Sequence, residues 1–380
     1  MNLKGEFSRF LDADPARLHF AAHSHHPWPD VSYEAHRQAW VDAATLADDK
    51  WEHIFGSVIP DTRDQIAAVL GLARGETITF APNTHEFLVR LFSCFEPPVR
   101  ILASGSEFHS FTRQSRRWEE AGLAIVDRVP AQPFDTFAER FTAEARSGAH
   151  DLIYLSHVFF DSGFVVPEID RIVSAISDQK AFFVIDGYHS FMALPVDLGA
   201  IQDRAFFIAG GYKYAMSGEG VCFMHCPPGY GPRPVDTGWY AGFGQLESGV
   251  GGEIQYADNA ERFAGATYDP SGIYRMGAVL SWLASEKADP PWIHDQAIRL
   301  QETFLDSVDL PWLLIPPSGA ERGNFLTFQV EDAPNVYHLL HDRRVITDYR
   351  GDRLRIGFGI YQDRHDVEAL SSLVSEIVGS

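Results

Sequence analysis

Lys213 lies in the stretch GGYKYAMSGEG, residues 210–220, between the apolar runs RAFFIAGG and VCFMHC. The chain has five lysines (Lys4, Lys50, Lys180, Lys213, Lys287) among its 31 Lys and Arg residues. A charged amine between two buried-looking strands is costly unless it is paired or used chemically. Asp186 ends another apolar run, AFFVIDGYHS, where a carboxylate needs a cationic partner. In APNTHEF a strand runs into a helix whose first turn offers free backbone N–H groups and the Thr84 hydroxyl, a ready anion site. One chemistry uses all three. Pyridoxal phosphate forms a Schiff base with a lysine amine, and a buried carboxylate keeps its pyridinium nitrogen protonated. Taken singly, each feature has a plainer role: Lys213 as a snorkelling lysine in a turn, Asp186 as a strand-end cap, and Asn83 or Thr84 as a helix cap.

These residues need a frame that brings distant segments together. From about Glu76 to Cys226, short β-branched or aromatic runs alternate with longer amphipathic ones. The strand runs are ETITFAP, VRILAS, LAIVDRV, DLIYLSHV, AFFVIDGY, RAFFIAGG and VCFMHC. Helical segments such as HEFLVRLFSCF, TRQSRRWEEAG, PFDTFAERFTAEARSG and VPEIDRIVSAISDQ lie between them. This alternation predicts an α/β fold with a largely parallel sheet, covered by helices on both faces. Ligands of such sheets sit at the carboxyl ends of the strands. There the sheet would gather Asn83, Thr84 and His85 with Glu107, Phe108 and His109, and with Ser156, His157, Asp186, His189 and Lys213.

Past Val221 the segment PPGYGPRPVDTGWYAGFGQLESGVGG is rich in Gly and Pro, as expected of a loop crossing a surface or subunit boundary. The helical run IYRMGAVLSWLASEK follows, and DPPW then marks a domain junction. We expect a large domain over residues 51–288 and a small α+β domain over 289–380. Residues 1–50 form a segment packing on the small domain.

The bulk composition narrows the classes of function. The net charge of −21 leaves no basic excess for a general nucleic-acid binder. No apolar run has the length of a membrane helix, and the N-terminus MNLKGEFSRFLDADPAR lacks a secretory apolar core. A cytoplasmic location is the expectation. Cys94, Cys222 and Cys226 make no disulfide framework, and the last two read as small core residues. His23, His25 and His26 have no carboxylate or cysteine at metal-ligand spacing, so no metal is expected.

The whole chain resembles the class V aminotransferase group of fold-type I pyridoxal-phosphate enzymes, and within it most closely the kynureninases. APNTHEFLVRL resembles the family's phosphate-binding turn, which implies Asn83, Thr84 and His85 around the phosphate. SEFHSFTRQ resembles the segment whose ring stacks on the cofactor, pointing to Phe108 or His109. YLSHVFFDSG is similar to the run that precedes the aspartate strand. VIDGYHSFMALPVDL resembles the Asp-x-x-His run, which assigns Asp186 to the pyridine nitrogen and His189 to the ring environment. GGYKYAMSGEG resembles the lysine motif, with Lys213 as Schiff base and Tyr212 at the phosphate. DTGWYAGF and RFAGATYDPSGIY are similar to segments that imply a cofactor contact for Trp239 and a partner-subunit phosphate contact for Thr267. VITDYRGDRLRIGFGIY resembles the run whose arginine, here Arg355, grips a substrate carboxylate. FAAHSHHPWPD stands where kynureninases carry a different segment near the substrate, so His23, with His25 and His26, is expected to line the substrate pocket or to belong to a polar loop.

The resemblance implies a homodimer and a pyridoxal-phosphate enzyme acting on an amino acid. A kynureninase-like lyase or hydrolase, working by Cβ–Cγ cleavage or β-elimination, is the first expectation, and a class V aminotransferase the second. A cofactor-binding protein without catalysis is the third. The cysteine desulfurase branch uses a nucleophilic cysteine on a late loop, whereas all three cysteines here precede residue 227.

Overall fold

A computed structural model describes residues 2–229, 231, 233–245, 253–316 and 322–379. Among the described residues, thirteen strands are numbered in chain order. They begin with β1 (Leu18–His19), β2 (Ile78–Ala81), β3 (Val99–Ser104), β4 (Ala124–Val129) and β5 (Leu152–Ser156). β6 (Phe182–Asp186), β7 (Ala205–Gly210) and β8 (Cys222–His225) follow. The C-terminal part adds β9 (Leu313–Ile315), β10 (Phe325–Gln329), β11 (Val345–Ile346), β12 (Asp348–Arg350) and β13 (Arg353–Gly357).

Seven strands form one sheet in the order β2-β8-β7-β6-β5-β3-β4. The pairs from β7 through β6, β5 and β3 to β4 are parallel, and β8 runs against its neighbours β7 and β2. This is the mostly parallel seven-stranded sheet of the fold-type I class, and each of the seven runs quoted above supplies one strand. The strands are buried on both faces because alternate residues feed two different cores. Phe183 and Ile185 join one core, with Leu155 and Phe207. Phe182 and Val184 join the other, with Tyr154, Ile208 and Cys222. By this two-residue period, Asp186 continues the second face. The helices Thr84–Phe92 and His109–Glu120 cover that face through Phe87, Leu91, Phe111 and Trp118. The run VPEIDRIVSAISDQ forms a shorter helix than its pattern suggests, Ile169–Ser174.

A second sheet has the order β12-β13-β10-β9, all antiparallel. Leu326, Phe328, Leu354 and Ile356 pack into a core of its own, against the helices Pro290–Ser307 and Arg364–Gly379. The alternate residues Phe325, Thr327, Arg355 and Gly357 therefore take the other face. Phe325 belongs to the core of the large sheet, so this face is turned toward it. The first 50 residues touch both parts. Lys4 pairs with Asp363 and Asp366, and β1 pairs with β11, while the helix Asp30–Leu46 packs on the helix Ser271–Glu286.

Candidate active site

A cavity of about 310 Å³ opens at the carboxyl ends of the large-sheet strands. Asn83, Thr84, His85, Phe108, Asp186, His189, Tyr212 and Lys213 all line it, although they come from four separate stretches of sequence. Lys213 lies in the turn between the antiparallel strands β7 and β8. At Gly210 a side chain would meet the Tyr188 hydroxyl at 2.3 Å and the Cys222 thiol at 2.4 Å, so only glycine lets this turn start beneath the cavity. Lys213 is 5% exposed, and its Nζ lies 2.7 Å from His189 Nε2. The amine also sits over the rings of Tyr188, Phe108 and Tyr212, at 4.8, 5.3 and 5.8 Å from their centroids. Burial pulls its pKa down to about 7, against the opposing pull of Asp186. A substantial fraction of this amine is thus uncharged at neutral pH. Burial, with Lys213 and Arg355 nearby, keeps His189 well below the ordinary histidine value. The neutral ring turns Nε2 to the amine, and its Nδ1 has no partner among the described residues.

Asp186 is held by the neutral part of the site. Its Oδ2 accepts from the Tyr154 hydroxyl at 2.6 Å, and its Oδ1 from the Tyr188 N–H at 3.0 Å. Burial raises its pKa, and these two bonds and Lys213 oppose the rise. No ion pair reaches it among the described residues. Next to it, Glu107 accepts from Ser104 Oγ at 2.6 Å, from the Ser156 N–H at 3.1 Å and from Ser156 Oγ at 2.5 Å. Burial pushes this carboxyl up to about 7, and Asp186 adds to the rise.

The helix Thr84–Phe92 is capped by Asn83, whose side chain accepts from the Glu86 N–H at 3.1 Å. Asn83 thus serves the helix, while Thr84 and His85 face the cavity at its first turn, and His85 Nδ1 is buried without a partner. Phe108 lines the cavity. His109 stands one step away, with its ring 5.4 Å from Phe108 and 5.0 Å from Phe160. Arg355 is not itself a lining residue; its Nη1 donates to the carbonyl oxygen of Phe160, which lines the cavity. His23 is fully buried, stacked on Phe325 at 4.6 Å, and both its ring nitrogens lack partners. Phe325 also lies 5.4 Å from the His189 ring, so one small-sheet residue bridges the two histidines. Trp239 and Thr267 are not brought into the cavity. They bond each other, indole N–H to hydroxyl at 3.0 Å, on an exposed surface.

Cavity residues to which sequence reasoning gave no role include Tyr188, Phe160 and Cys222. The first two lie inside the quoted runs VIDGYHSFMALPVDL and YLSHVFFDSG, which gave them no role of their own. Cys222 reads as core and is indeed buried, yet its thiol faces the Tyr188 hydroxyl at 3.5 Å. Tyr154 was also missed, though it stands two residues before Ser156 and so shares its strand face.

The residues present fit pyridoxal phosphate on their own chemistry. A lone buried amine, a half-buried carboxylate without an ion-pair partner among the described residues, a ring beside the amine and a helix N-terminus share one cavity of cofactor size. The sequence matches the aminotransferase class-V family over residues 50–370, and the chain belongs to that family. It is a pyridoxal-phosphate-dependent enzyme. Among its relatives, a probable cysteine desulfurase of Vibrio cholerae is 21% identical, aligned over 83% of this chain and 81% of that protein. The kynureninase of Pseudomonas fluorescens is 23% identical, over 78% of this chain and 72% of the relative. The crystal structure of a cystine C–S lyase in complex with its product cysteine persulfide superposes with a TM-score of 0.81 at 18% identity, covering 95% of this chain and 97% of that one. Kynureninases are thus one branch among several that resemble the chain at similar distance.

Proposed function

We propose that this chain is an amino-acid lyase in which Lys213 removes the substrate's α-proton and a bond at the β-carbon then breaks. The observation that carries this reading is the Lys213 amine, buried, brought down to about 7 and 2.7 Å from a neutral imidazole. An amine of that pKa takes a proton at neutral pH and can return it. When bound, pyridoxal phosphate supplies an electron sink for the charge left at the α-carbon. Asp186 would hold the pyridine nitrogen, Phe108 would lie on the ring, and Thr84, His85 and Tyr212 would hold the phosphate. His189 would receive a hydrogen bond from Lys213 and keep the amine aimed into the cavity. Arg355 would take the substrate carboxylate, with His23 and His109 on the same side. Trp239 and Thr267, exposed and bonded to each other, would serve the site of a second copy in a homodimer.

The thiols decide what becomes of the leaving group. Burial pushes Cys94 and Cys222 up to about 12 and holds Cys226 well above its ordinary value. None is a thiolate at neutral pH, so none is suited to accept sulfur from a substrate. The leaving group is therefore released, either by β-elimination or by kynureninase-like hydrolytic Cβ–Cγ cleavage. Incubating the holoenzyme with L-cysteine, L-cystine and L-kynurenine separates the outcomes. Pyruvate with ammonia marks elimination, and alanine with anthranilate marks hydrolytic cleavage. A 2-oxo acid formed without ammonia, with the amine left on the cofactor, would instead mark an aminotransferase and overturn the lyase reading.

A further inference from the structure

The arginine read as the carboxylate grip is itself held by a carboxylate. Arg355 is 3% exposed, and its Nε and Nη2 donate to Oδ1 of Asp348 at 2.8 and 2.5 Å. Its Nη1 donates to the carbonyl oxygen of Phe160. A guanidinium carries five N–H donors in a rigid plane, so these three bonds leave two. Asp348 turns its other oxygen to Arg350, with Oδ2 3.1 Å from Nη2. Two arginines thus share one carboxylate, and the trio keeps a single net positive charge. One further group acts at longer range. Asp161 bears on Arg355, with its Oδ2 accepting from Ser106 Oγ and its Oδ1 unpartnered among the described residues; Arg353 bears on Asp161 and pairs with Asp352 at 3.5 Å.

The sheet register explains why this carboxylate meets this arginine. Asp348, Arg355 and Thr327 are direct partners across β12, β13 and β10, so they stand in one row on one sheet face. Leu354 and Ile356 occupy the opposite face and anchor the strand in its own core. Asp348 closes one flank of Arg355, and Thr327, whose hydroxyl has no partner, stands on the other.

We propose that Asp348 is a positioning residue for substrate recognition. It fixes the Arg355 guanidinium by its Nε–Nη2 edge, so that the two remaining donors meet the carboxylate of an α-amino acid. The inference rests on the reading of Arg355 as the carboxylate grip. The single net charge matches one carboxylate, and a second anionic group at this end would face Asp348. Without Asp348 the guanidinium is free to rotate and loses its counter-charge, and carboxylate recognition weakens.

The test compares L-alanine with L-alaninamide as ligands of the holoenzyme, each titrated through the change in the cofactor's visible absorbance. The unsubstituted enzyme should prefer the carboxylate. Asp348→Asn should cut that preference at least tenfold, while the affinity for the amide moves less than threefold. Asp348→Glu keeps the buried charge paired but displaces it by one methylene. It carries the test if the Asn variant fails to fold, and should also lose the preference. An unchanged preference in the folded variants, or a stronger one because Asp348 competes with the ligand, overturns the inference. Arg355→Lys separates the two levels. If it leaves the preference intact, the reading of Arg355 itself falls. If it abolishes the preference while the Asp348 variants do not, only the role of Asp348 falls.

Discussion

At the large sheet, Lys213 is buried and Asp186 half-buried, each with neutral partners, an imidazole for one and a phenol and a backbone N–H for the other. At the small sheet, Arg355 is also buried but lies against Asp348, which also holds Arg350. One end leaves ionisable groups without a charged partner, and the other pairs its charges within the chain. Burying an unpaired ionisable group shifts its pKa rather than being tolerated as charge, as Lys213 at about 7 illustrates. A paired arginine keeps its charge and its orientation instead. The first arrangement suits groups that change protonation or bond to a cofactor. The second suits a group that must hold one pose while ligands come and go.

Substitutions at the two ends should differ in kind. The largest effect is expected at Lys213: Lys213→Ala removes both base and cofactor anchor, and turnover should fall by about 10³-fold or more, as for loss of other groups that act directly in the chemistry. Steady-state product formation, with cofactor content measured in parallel, checks this. Asp186→Asn should follow, with kcat about 10²-fold lower, the size typical of losing one preorganised electrostatic partner. Its cofactor absorbance should also shift, since the ring nitrogen loses its anionic partner. Arg355→Lys should act mainly on KM, raising it about tenfold or somewhat more, from the roughly 1.5–3 kcal/mol of a charged hydrogen bond. Equal falls in kcat for Lys213→Ala and Arg355→Lys would erase the contrast.

The smallest change concerns stability. Glu107 is raised from 4.5 to about 7 by burial, so between those values the folded chain binds more protons than the unfolded one. Its contribution is fully present below pH 4.5 and is lost as pH rises through 7. Glu107→Gln should remove that slope, by at most about 3 kcal/mol, so the variant gains on the parent between pH 5 and pH 8. Denaturant unfolding of the two proteins at both pH values measures it, and parallel pH profiles would contradict the assignment.

Much of the large sheet could be read from the chain because strands covered on both faces leave continuous apolar runs, and all seven runs became strands. The ends of those runs carried Lys213, Asp186, His189 and the Asn83–His85 turn into one cavity. What escaped was everything that depends on register between distant strands. Asp348 and Arg355 are seven residues apart in sequence, and only the β12–β13 pairing makes them partners. Tyr188 looks like core beside Asp186 and His189, and its place under the Lys213 amine comes from the turn after β6 meeting the turn after β7. The choice between Phe108 and His109 also waited on three dimensions, because adjacent residues differ only in which one the start of a helix turns toward the cavity.

The central claim is that Lys213, and no other lysine, carries the cofactor. Borohydride reduction of the holoenzyme, followed by proteolysis and mass spectrometry, addresses it directly, since the chain offers only five lysines. The account predicts a phosphopyridoxyl mass increment confined to the peptide containing Lys213, and none after Lys213→Ala. An increment on Lys4, Lys50, Lys180 or Lys287, or no increment in a protein that retains activity, would contradict it.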